Sequence, residues 1–248
     1  MASEIFANPG DRRRLPEEGA VSATNAIHQS LRIPATGVVL EADIAMPESA
    51  RGAVLFAHGS GSGRHSPRNR YVADELNRAG LATVLADLLT REEEQVDIRT
   101  TALRFNIELL ATRVMALTDW MADNEPTAGL DVGLFGASTG AAAALIAAAT
   151  RPAIVQAVVS RGGRPDLADA HLHEVHQPTL LIVGERDPVV IELNRQAMKK
   201  LAGEKRLAVI PGASHLFEEP GALEQVARLA RDWFVRYFRS APRRENGD

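Results

Sequence analysis

The sequence has no cysteine among its 248 residues. This absence excludes a disulfide framework, thiolate metal sites, redox-active dithiols and a cysteine nucleophile. Aromatic residues are also scarce, at 4%, so a folded core must consist mainly of aliphatic side chains and alanine. Neither sign of charge dominates, because the chain has 28 basic and 32 acidic residues and a formal net charge of −4. The charge balance therefore gives no reason to expect a nucleic acid or an anionic membrane as a partner.

Long apolar runs are limited to residues 132–150, which carry no charge. This run contains three glycines and is dominated by alanine, so we interpret it as a buried strand, a tight turn and a buried helix rather than a membrane span. Residues 1–25 contain arginines but no apolar stretch typical of a secretory signal. We expect flexible segments over 1–25 and 241–248 and a single cytoplasmic domain over 26–240.

Between the two ends, short apolar runs alternate with amphipathic segments, as in α/β proteins. Runs rich in Val, Leu and Ile are typical of strands buried on both faces of a parallel sheet, and the amphipathic segments supply the crossover helices. The predicted strands are at 28–33, 37–47, 52–58, 81–88, 131–138, 155–160, 178–185 and 205–212. The predicted helices are at 66–80, 101–123, 140–150, 190–202 and 221–238. The pattern predicts a doubly wound, mostly parallel sheet of about eight strands, in which the first two strands form an antiparallel lead-in.

A candidate nucleophile follows the strand at 131–138. Residues 136–140, Gly-Ala-Ser-Thr-Gly, fit the pattern G-x-S-x-G between an apolar strand and an alanine-rich helix. In that context the pentapeptide forms a sharp, strained turn that exposes the serine at a helix N-terminus. We therefore predict Ser138 as a nucleophile.

A serine hydroxyl needs a base to take its proton and a carboxylate to orient that base. The two last predicted strands are followed by Asp187 and His215, which gives the chain order Ser, Asp, His. We predict His215 as the base and Asp187 as the acid. Glu185 and Asp166 are alternatives for the acid, and Asp187 could instead serve only to cap the helix that begins at Pro188.

An oxyanion hole requires two backbone N–H groups that point at the developing charge. Thr139, directly after the nucleophile, supplies one candidate. The loop after the strand at 52–58 begins His58-Gly59-Ser60, and we favour the N–H of Ser60 as the second donor.

At these motifs the chain resembles the α/β-hydrolase superfamily, over roughly residues 28–238. With the loop HGSGSGRHSPRN, the strand end LADLLT and no evident cap insertion, it is most similar to the dienelactone-hydrolase-related branch. The resemblance implies an eight-stranded, mostly parallel sheet with Ser138 as nucleophile, Asp187 as acid and His215 as base. Enzymes of that branch that open dienelactones use cysteine at the elbow. The serine here favours general ester hydrolysis.

Several residues near the predicted site could bind substrate. His58, Gly59 and Gly61 lie in the loop that would form the oxyanion hole, although His58 is more readily explained as a residue that holds the loop's shape. Arg64 belongs to a basic cluster that either recognises an anionic group or forms the solvated first turn of a helix capped by Ser66. That cluster also contains His65, Arg68 and Arg70. Arg161 follows a strand and could either bind a substrate carboxylate or hold an acidic side chain.

Nothing in the sequence calls for a metal or an organic cofactor. His171, His173 and His176 lie in a polar connection, lack the aspartate of the two-metal hydrolase motif and are interpreted as surface residues. The glycines near residue 60 lack the third glycine of a dinucleotide-binding loop. We predict no cofactor and no metal site.

The predicted function is hydrolysis of small-molecule esters through an acyl-enzyme. The connection 161–177, about 17 residues, is too short for a helical cap, so we expect an open site suited to short-chain esters. Amide, peptide or lactone cleavage by the same triad remains an alternative, as does a non-catalytic binding protein, and the chain could be a monomer or a homodimer.

Overall fold

The computed structural model describes residues 26–239, so the segments predicted to be flexible, 1–25 and 241–248, lie outside the described residues. Eight strands form one sheet. They are β1 (Ala26–Ala35), β2 (Val38–Pro47), β3 (Ala53–Ala57), β4 (Ala82–Ala86), β5 (Val132–Ala137), β6 (Val155–Arg161), β7 (Thr179–Gly184) and β8 (Lys205–Ile210). The α-helices are α1 (Pro67–Arg78), α2 (Arg91–Thr100), α3 (Ile107–Asp123), α4 (Thr139–Thr150), α5 (Pro188–Lys200) and α6 (Ala222–Tyr237).

The strand order is β1-β2-β4-β3-β5-β6-β7-β8. β2 runs antiparallel to both β1 and β4, and every other pairing is parallel. The predicted doubly wound, mostly parallel sheet with an antiparallel lead-in is therefore confirmed. In this topology the carboxyl ends of β3 to β8 meet along one edge of the sheet, where α/β proteins place their ligand sites.

Helices cover both faces of the sheet, which explains why the central strands are apolar throughout. One core layer packs α3 and α4 against the sheet, with Leu117 and Leu145 fully buried. The other packs α1 and α6, with Leu76 and Phe234 fully buried. Strands β3, β4, β5 and β7 are buried at every position, as expected for a sheet that is covered on both sides.

The uncharged run 132–150 forms β5, a tight turn and α4, as predicted. The alanines at 141–144 in α4 are fully buried, and their small side chains let the helix axis lie close to the sheet. Within residues 26–239 no helix is both long enough and apolar enough to cross a membrane.

The helix predicted over 101–123 is wrong at its N-terminal end. The chain first forms α2, which begins after Thr90 with a capping box made with Glu93, and then breaks before α3 begins after Asn106. The Asn106 side chain accepts a hydrogen bond from the Leu109 N–H, so Asn106 is the N-cap of α3.

The connection from β6 to β7 contains only short 3₁₀ turns, over Pro165–Glu174. These turns pack against α4 and α5 rather than rising over the carboxyl edge of the sheet. The described chain therefore carries no substantial cap over the candidate site.

Candidate active site

Ser138 occupies a strained turn between β5 and α4. Its backbone has φ 50° and ψ −121°, a conformation that L residues adopt only where the surroundings enforce it. The Ser138 N–H donates to the carbonyl of Arg161 (3.2 Å), and the Ser138 carbonyl accepts from the N–H of Ala141 and of Arg164 (both 3.1 Å). These three hydrogen bonds fix the turn against the end of β6.

The two glycines of the pentapeptide are required by close approach. A Cβ on Gly136 would lie 2.4 Å from the Cα of Ala141, and a Cβ on Gly140 would lie 2.2 Å from the carbonyl oxygen of Ala57. Both contacts are with backbone atoms, which cannot move aside without distorting β3 or α4. The G-x-S-x-G pattern is therefore explained by packing as well as by the turn.

His215 and Asp187 form a hydrogen-bonded pair at the ends of β8 and β7. The His215 Nδ1 lies 2.7 Å from Asp187 Oδ2, and the aspartate side chain is 17% exposed. This contact leaves Nε2 as the imidazole nitrogen available to a nucleophile. Asp187 also accepts a hydrogen bond from the Val190 N–H (3.4 Å), so the same carboxylate caps α5. The helix-cap interpretation and the acid interpretation are thus both compatible with one geometry.

The two alternative acids are engaged elsewhere. Glu185 accepts a hydrogen bond from the Gly212 N–H (2.7 Å), and Asp166 forms an ion pair with Arg164 (2.7 Å). Neither carboxylate pairs with His215 within residues 26–239.

The end of β6 contacts both Ser138 and His215, the predicted nucleophile and base. A Cβ on Gly162, the residue after β6, would lie 3.5 Å from His215 Cε1, and β6 is hydrogen-bonded to the Ser138 turn through Arg161. Within the described chain no hydrogen bond joins Ser138 Oγ to the His215 ring. Such bonds are often long in ligand-free hydrolases and shorten in the substrate complex.

The loop after β3 passes directly beside the nucleophile. A Cβ on Gly59 would lie 2.8 Å from the Ser138 Cβ, so only glycine allows this approach. The hydroxyls of Ser60 and Thr139, the two residues predicted to supply the oxyanion donors, lie 3.2 Å apart. In the described part of the chain the N–H groups of Ser60 and Thr139 donate to no protein acceptor.

His58 holds the shape of this loop through both ring nitrogens. Its Nδ1 donates to the carbonyl of Gly59 (3.0 Å), and its Nε2 accepts from the Leu88 N–H (2.9 Å). This pattern defines the neutral ring and leaves no nitrogen free for a substrate. Burial lowers the pKa of His58 below its usual value, because the charged ring would be desolvated.

The lowered pKa of His58 predicts a pH-dependent stability. The pKa of His58 is about 6.5 in the unfolded chain and lower in the folded chain. Below pH 6.5 the unfolded state therefore binds more protons than the folded state. The His58 contribution is therefore complete above pH 6.5 and is lost as the pH falls, by at most about 1.4 kcal/mol per pH unit. Urea unfolding is measured for wild type and His58→Gln at about pH 7.5, 6.5 and 5.5, which bracket the usual pKa of histidine. The free energy of unfolding should depend less steeply on pH in the variant. Equal slopes would contradict the prediction.

Arg64, predicted as a possible substrate contact, is already occupied by carboxylates of the protein. The Arg64 guanidinium forms ion pairs with Glu41, Asp43 and Asp87. The backbone N–H of Arg64 also donates to the Asp87 carboxylate (2.7 Å). These contacts tie the loop after β3 to β2 and to the end of β4. We therefore assign Arg64 to loop positioning and not to substrate binding, which corrects the sequence-based interpretation.

Sequence reasoning missed a second support of the oxyanion loop, the turn between α2 and α3. The buried Asp97 accepts hydrogen bonds from the N–H groups of Leu103 (2.8 Å) and Arg104 (2.9 Å) and also pairs with the Arg104 guanidinium. The Arg104 carbonyl in turn accepts from the Ser60 hydroxyl (3.4 Å). A small cavity of about 40 Å³ lies between this turn and the loop after β3. The break between α2 and α3 could have been predicted from Asn106, because asparagine is a common N-cap directly before an amphipathic helix.

The other candidates lie where the sequence placed them. Gly61, at φ 67°, continues the loop after β3, and Arg161 is the last residue of β6, next to the nucleophile turn. The three histidines near residue 173 lie in or next to the 3₁₀ turns, and residues 26–239 contain no group of acidic and histidine side chains that could hold a metal ion.

The doubly wound sheet with a serine at a strand-to-helix elbow and an Asp–His pair at later strand ends defines an α/β-hydrolase fold. Residues 40–240 match the sequence profile of the dienelactone hydrolase family. The chain belongs to that family.

Two solved structures are informative relatives. A dienelactone hydrolase from Anabaena variabilis ATCC 29413 is 57% identical, with a TM-score of 0.85 over 86% of this chain and 99% of that chain. Est1E from Butyrivibrio proteoclasticus has a TM-score of 0.71 over 84% of this chain and 98% of that chain. Its identity is only 17%, so it supports the fold alone.

Curated relatives come from two strains of Mycobacterium tuberculosis, CDC 1551 / Oshkosh and ATCC 25618 / H37Rv, and each is named as a candidate phosphoribosyl transferase. Each is 55% identical over 226 residues, which is 90% of this chain. The chain spans about half the length of these relatives.

Proposed function

We propose that this chain is a serine hydrolase that cleaves small or short-chain carboxylic esters through an acyl-enzyme. The observation that carries the proposal is the 2.7 Å contact between His215 Nδ1 and Asp187 Oδ2 beside a serine on a strained elbow. A serine, an imidazole and an orienting carboxylate are the groups that acyl transfer requires.

In the proposed first step, Ser138 Oγ attacks the ester carbonyl carbon while His215 Nε2 takes the hydroxyl proton. The carbonyl oxygen becomes an oxyanion, which the N–H groups of Ser60 and Thr139 stabilise. The tetrahedral intermediate collapses, the bond to the alcohol oxygen breaks, and His215 returns the proton to the leaving alcohol. Asp187 keeps the imidazole oriented and stabilises its positive charge.

In the second step, water attacks the acyl-enzyme and His215 takes one of its protons. The new tetrahedral intermediate releases the carboxylic acid, and the proton returns to Ser138. The two steps together consume one ester and one water and produce one acid and one alcohol.

Lactone cleavage is a second candidate, and the observation that favours it is the 57% identity to the dienelactone hydrolase from Anabaena variabilis. The same triad would open a lactone, and acid and alcohol would then remain in one product. Amide cleavage would use these groups as well, but no contact in the site favours it. The transferase name belongs to chains about twice as long, and the site described above supports hydrolysis.

The absence of a substantial cap supports a preference for short acyl chains, because no apolar tunnel covers a long one. In a series of 4-nitrophenyl esters from acetate to palmitate, kcat/KM should be highest for acetate or butyrate and at least about tenfold lower for decanoate. Dihydrocoumarin and its open-chain counterpart phenyl propanoate then separate lactone from ester cleavage. A maximum at long chains would contradict the open-site proposal, and a dominant lactone rate would favour the second candidate.

A further inference from the structure

Arg161 lies next to both the proposed nucleophile and the proposed base. It pairs with Ala137 in the parallel register of β5 and β6, and its carbonyl accepts the Ser138 N–H (3.2 Å). Gly162, the next residue, packs against His215, because a Cβ there would lie 3.5 Å from His215 Cε1. No part of the proposed acyl transfer uses the Arg161 side chain.

The guanidinium extends toward the face of the sheet that carries α1. Ser160 is fully buried on the opposite face, since a Cβ on Gly163 would meet both its Oγ and the Cβ of Ala141 in α4. Side chains alternate along a strand, so Arg161 points to the α1 side. The positive charge of Arg68, in the first turn of α1, contributes to a lowered pKa of Arg161.

Arg161 has no partner that would explain a charge at this place. Its Nη1 is buried without a hydrogen bond, and among residues 26–239 no carboxylate forms an ion pair with it. The Nε of Arg68 is likewise buried and unpaired, although Arg68 Nη1 reaches the exposed Glu218 (3.2 Å). Burial and the charge of Arg68 lower the pKa of Arg161 to about 10, so it still carries its charge at neutral pH.

Arg113 shows what a structural arginine looks like in the same chain. It is more deeply buried than the half-buried Arg161, yet it donates to the Ala35 carbonyl (2.9 Å) and pairs with Glu93 (2.9 Å). A buried charge is costly unless it is paired, so proteins retain an unpaired one mainly where a ligand supplies the partner.

We propose that Arg161, assisted by Arg68, binds an anionic group of the substrate beside the acyl-transfer site, so that the preferred esters carry a carboxylate or a phosphate near the scissile bond. This inference rests on the proposed ester hydrolysis and adds the substrate class. The planar guanidinium presents two parallel N–H groups, which match two oxygens of either anion.

Matched ester pairs that differ only in charge test the proposal. Mono-4-nitrophenyl glutarate carries a free carboxylate on its acyl side, and methyl 4-nitrophenyl glutarate is the neutral counterpart. For the alcohol side, 4-acetoxybenzoate is compared with its methyl ester, and 4-acetoxyphenyl phosphate separates phosphate from carboxylate. Wild type should favour the charged member of at least one pair by about 10-fold to 100-fold in kcat/KM, after the uncatalysed rate is subtracted.

Arg161→Met should remove this preference, so that kcat/KM for the charged member falls to about that of its neutral partner. Arg161→Lys should retain part of it, because the charge remains and the fork is lost. Arg164→Met is the matched control, since Arg164 lies three residues away and is neutralised by Asp166. Arg161→Met should also melt at the same temperature as wild type or higher, because it removes an unpaired charge, whereas Arg113→Met should melt lower.

A binding measurement separates this inference from the proposed function. Inorganic phosphate and glutarate are titrated into Ser138→Ala, and at least one should raise its Tm, with the effect lost in Ser138→Ala/Arg161→Met. If no ester is hydrolysed but this binding is found, the ester proposal fails and the anion site stands. If esters are hydrolysed with no charge preference, or with a preference that persists in Arg161→Met, the anion site is wrong.

Discussion

Replacing Ser138 with alanine is expected to lower kcat/KM for ester hydrolysis by at least about 10⁴-fold. In the proposed mechanism the substitution removes the hydroxyl that forms the acyl-enzyme, and the rate that remains is due to the oxyanion donors and substrate binding. Alanine keeps the Cβ and the backbone hydrogen bonds of the elbow, so the fold and the Tm should change little.

Initial rates with 4-nitrophenyl acetate, compared between wild type and Ser138→Ala, provide the measurement. Ser30→Ala is the matched control, because Ser30 lies on the edge strand β1 and its hydroxyl only donates to Asp43 (2.8 Å). It should retain wild-type activity. A residual rate in Ser138→Ala within about tenfold of wild type would show that another group attacks the ester.

The second large effect is expected for Asp187→Asn, which should lower kcat by about 10⁴-fold. With the amide oxygen accepting from the Val190 N–H, the amide NH₂ faces His215 Nδ1 and donates to it. The imidazole then takes the tautomer with its proton on Nε2, which cannot take the serine proton. Asparagine is as good a helix cap as aspartate, so α5 and the overall stability should be preserved. The variant thus separates the catalytic role of Asp187 from its cap.

Asp166→Asn is the control for this experiment, because Asp166 was the alternative acid and forms its ion pair with Arg164 (2.7 Å) instead. Its ester hydrolysis should remain within about twofold of wild type, because the Asp166 carboxylate pairs with Arg164 and not with His215. A large loss in Asp166→Asn, together with a small loss in Asp187→Asn, would transfer the acid role to Asp166.

Much of the fold followed from the sequence because its strands are buried on both sides. Continuous apolar runs such as those of β3 and β5 are typical of strands in a parallel sheet that is covered on both faces. The glycines around Ser138 mark a place where a strand turns tightly into a helix. Burial, period and turn chemistry are local properties, so the sequence carries them directly.

The errors concern features that depend on contacts between distant segments. The sequence leaves Arg64 open between recognition of an anionic group and the solvated first turn of a helix, but in the fold three carboxylates from β2 and the end of β4 surround it. Gly203 makes another contact of this kind, because it lets the chain approach His176, whose carbonyl oxygen would lie 2.2 Å from a Cβ on the glycine. Such contacts have no signature in one sequence.

The unpaired state of Arg161 belongs to the same class. The sequence showed an arginine at a strand end and left its role open between a structural partner and a substrate group. Only the fold shows that its Nη1 is buried without a hydrogen bond, while the guanidinium groups of Arg113 and Arg64 pair with carboxylates. The count of partners, rather than the residue type, therefore distinguishes a candidate binding arginine from a structural one.

The most direct test of the central claim is covalent labelling of the native protein with a fluorophosphonate, followed by peptide mass spectrometry. The proposed mechanism predicts one modified residue, Ser138, with loss of esterase activity in proportion to labelling, and no modification in Ser138→Ala. Labelling of a different residue, or full esterase activity in a protein labelled at Ser138, would contradict the assignment of Ser138 as the nucleophile.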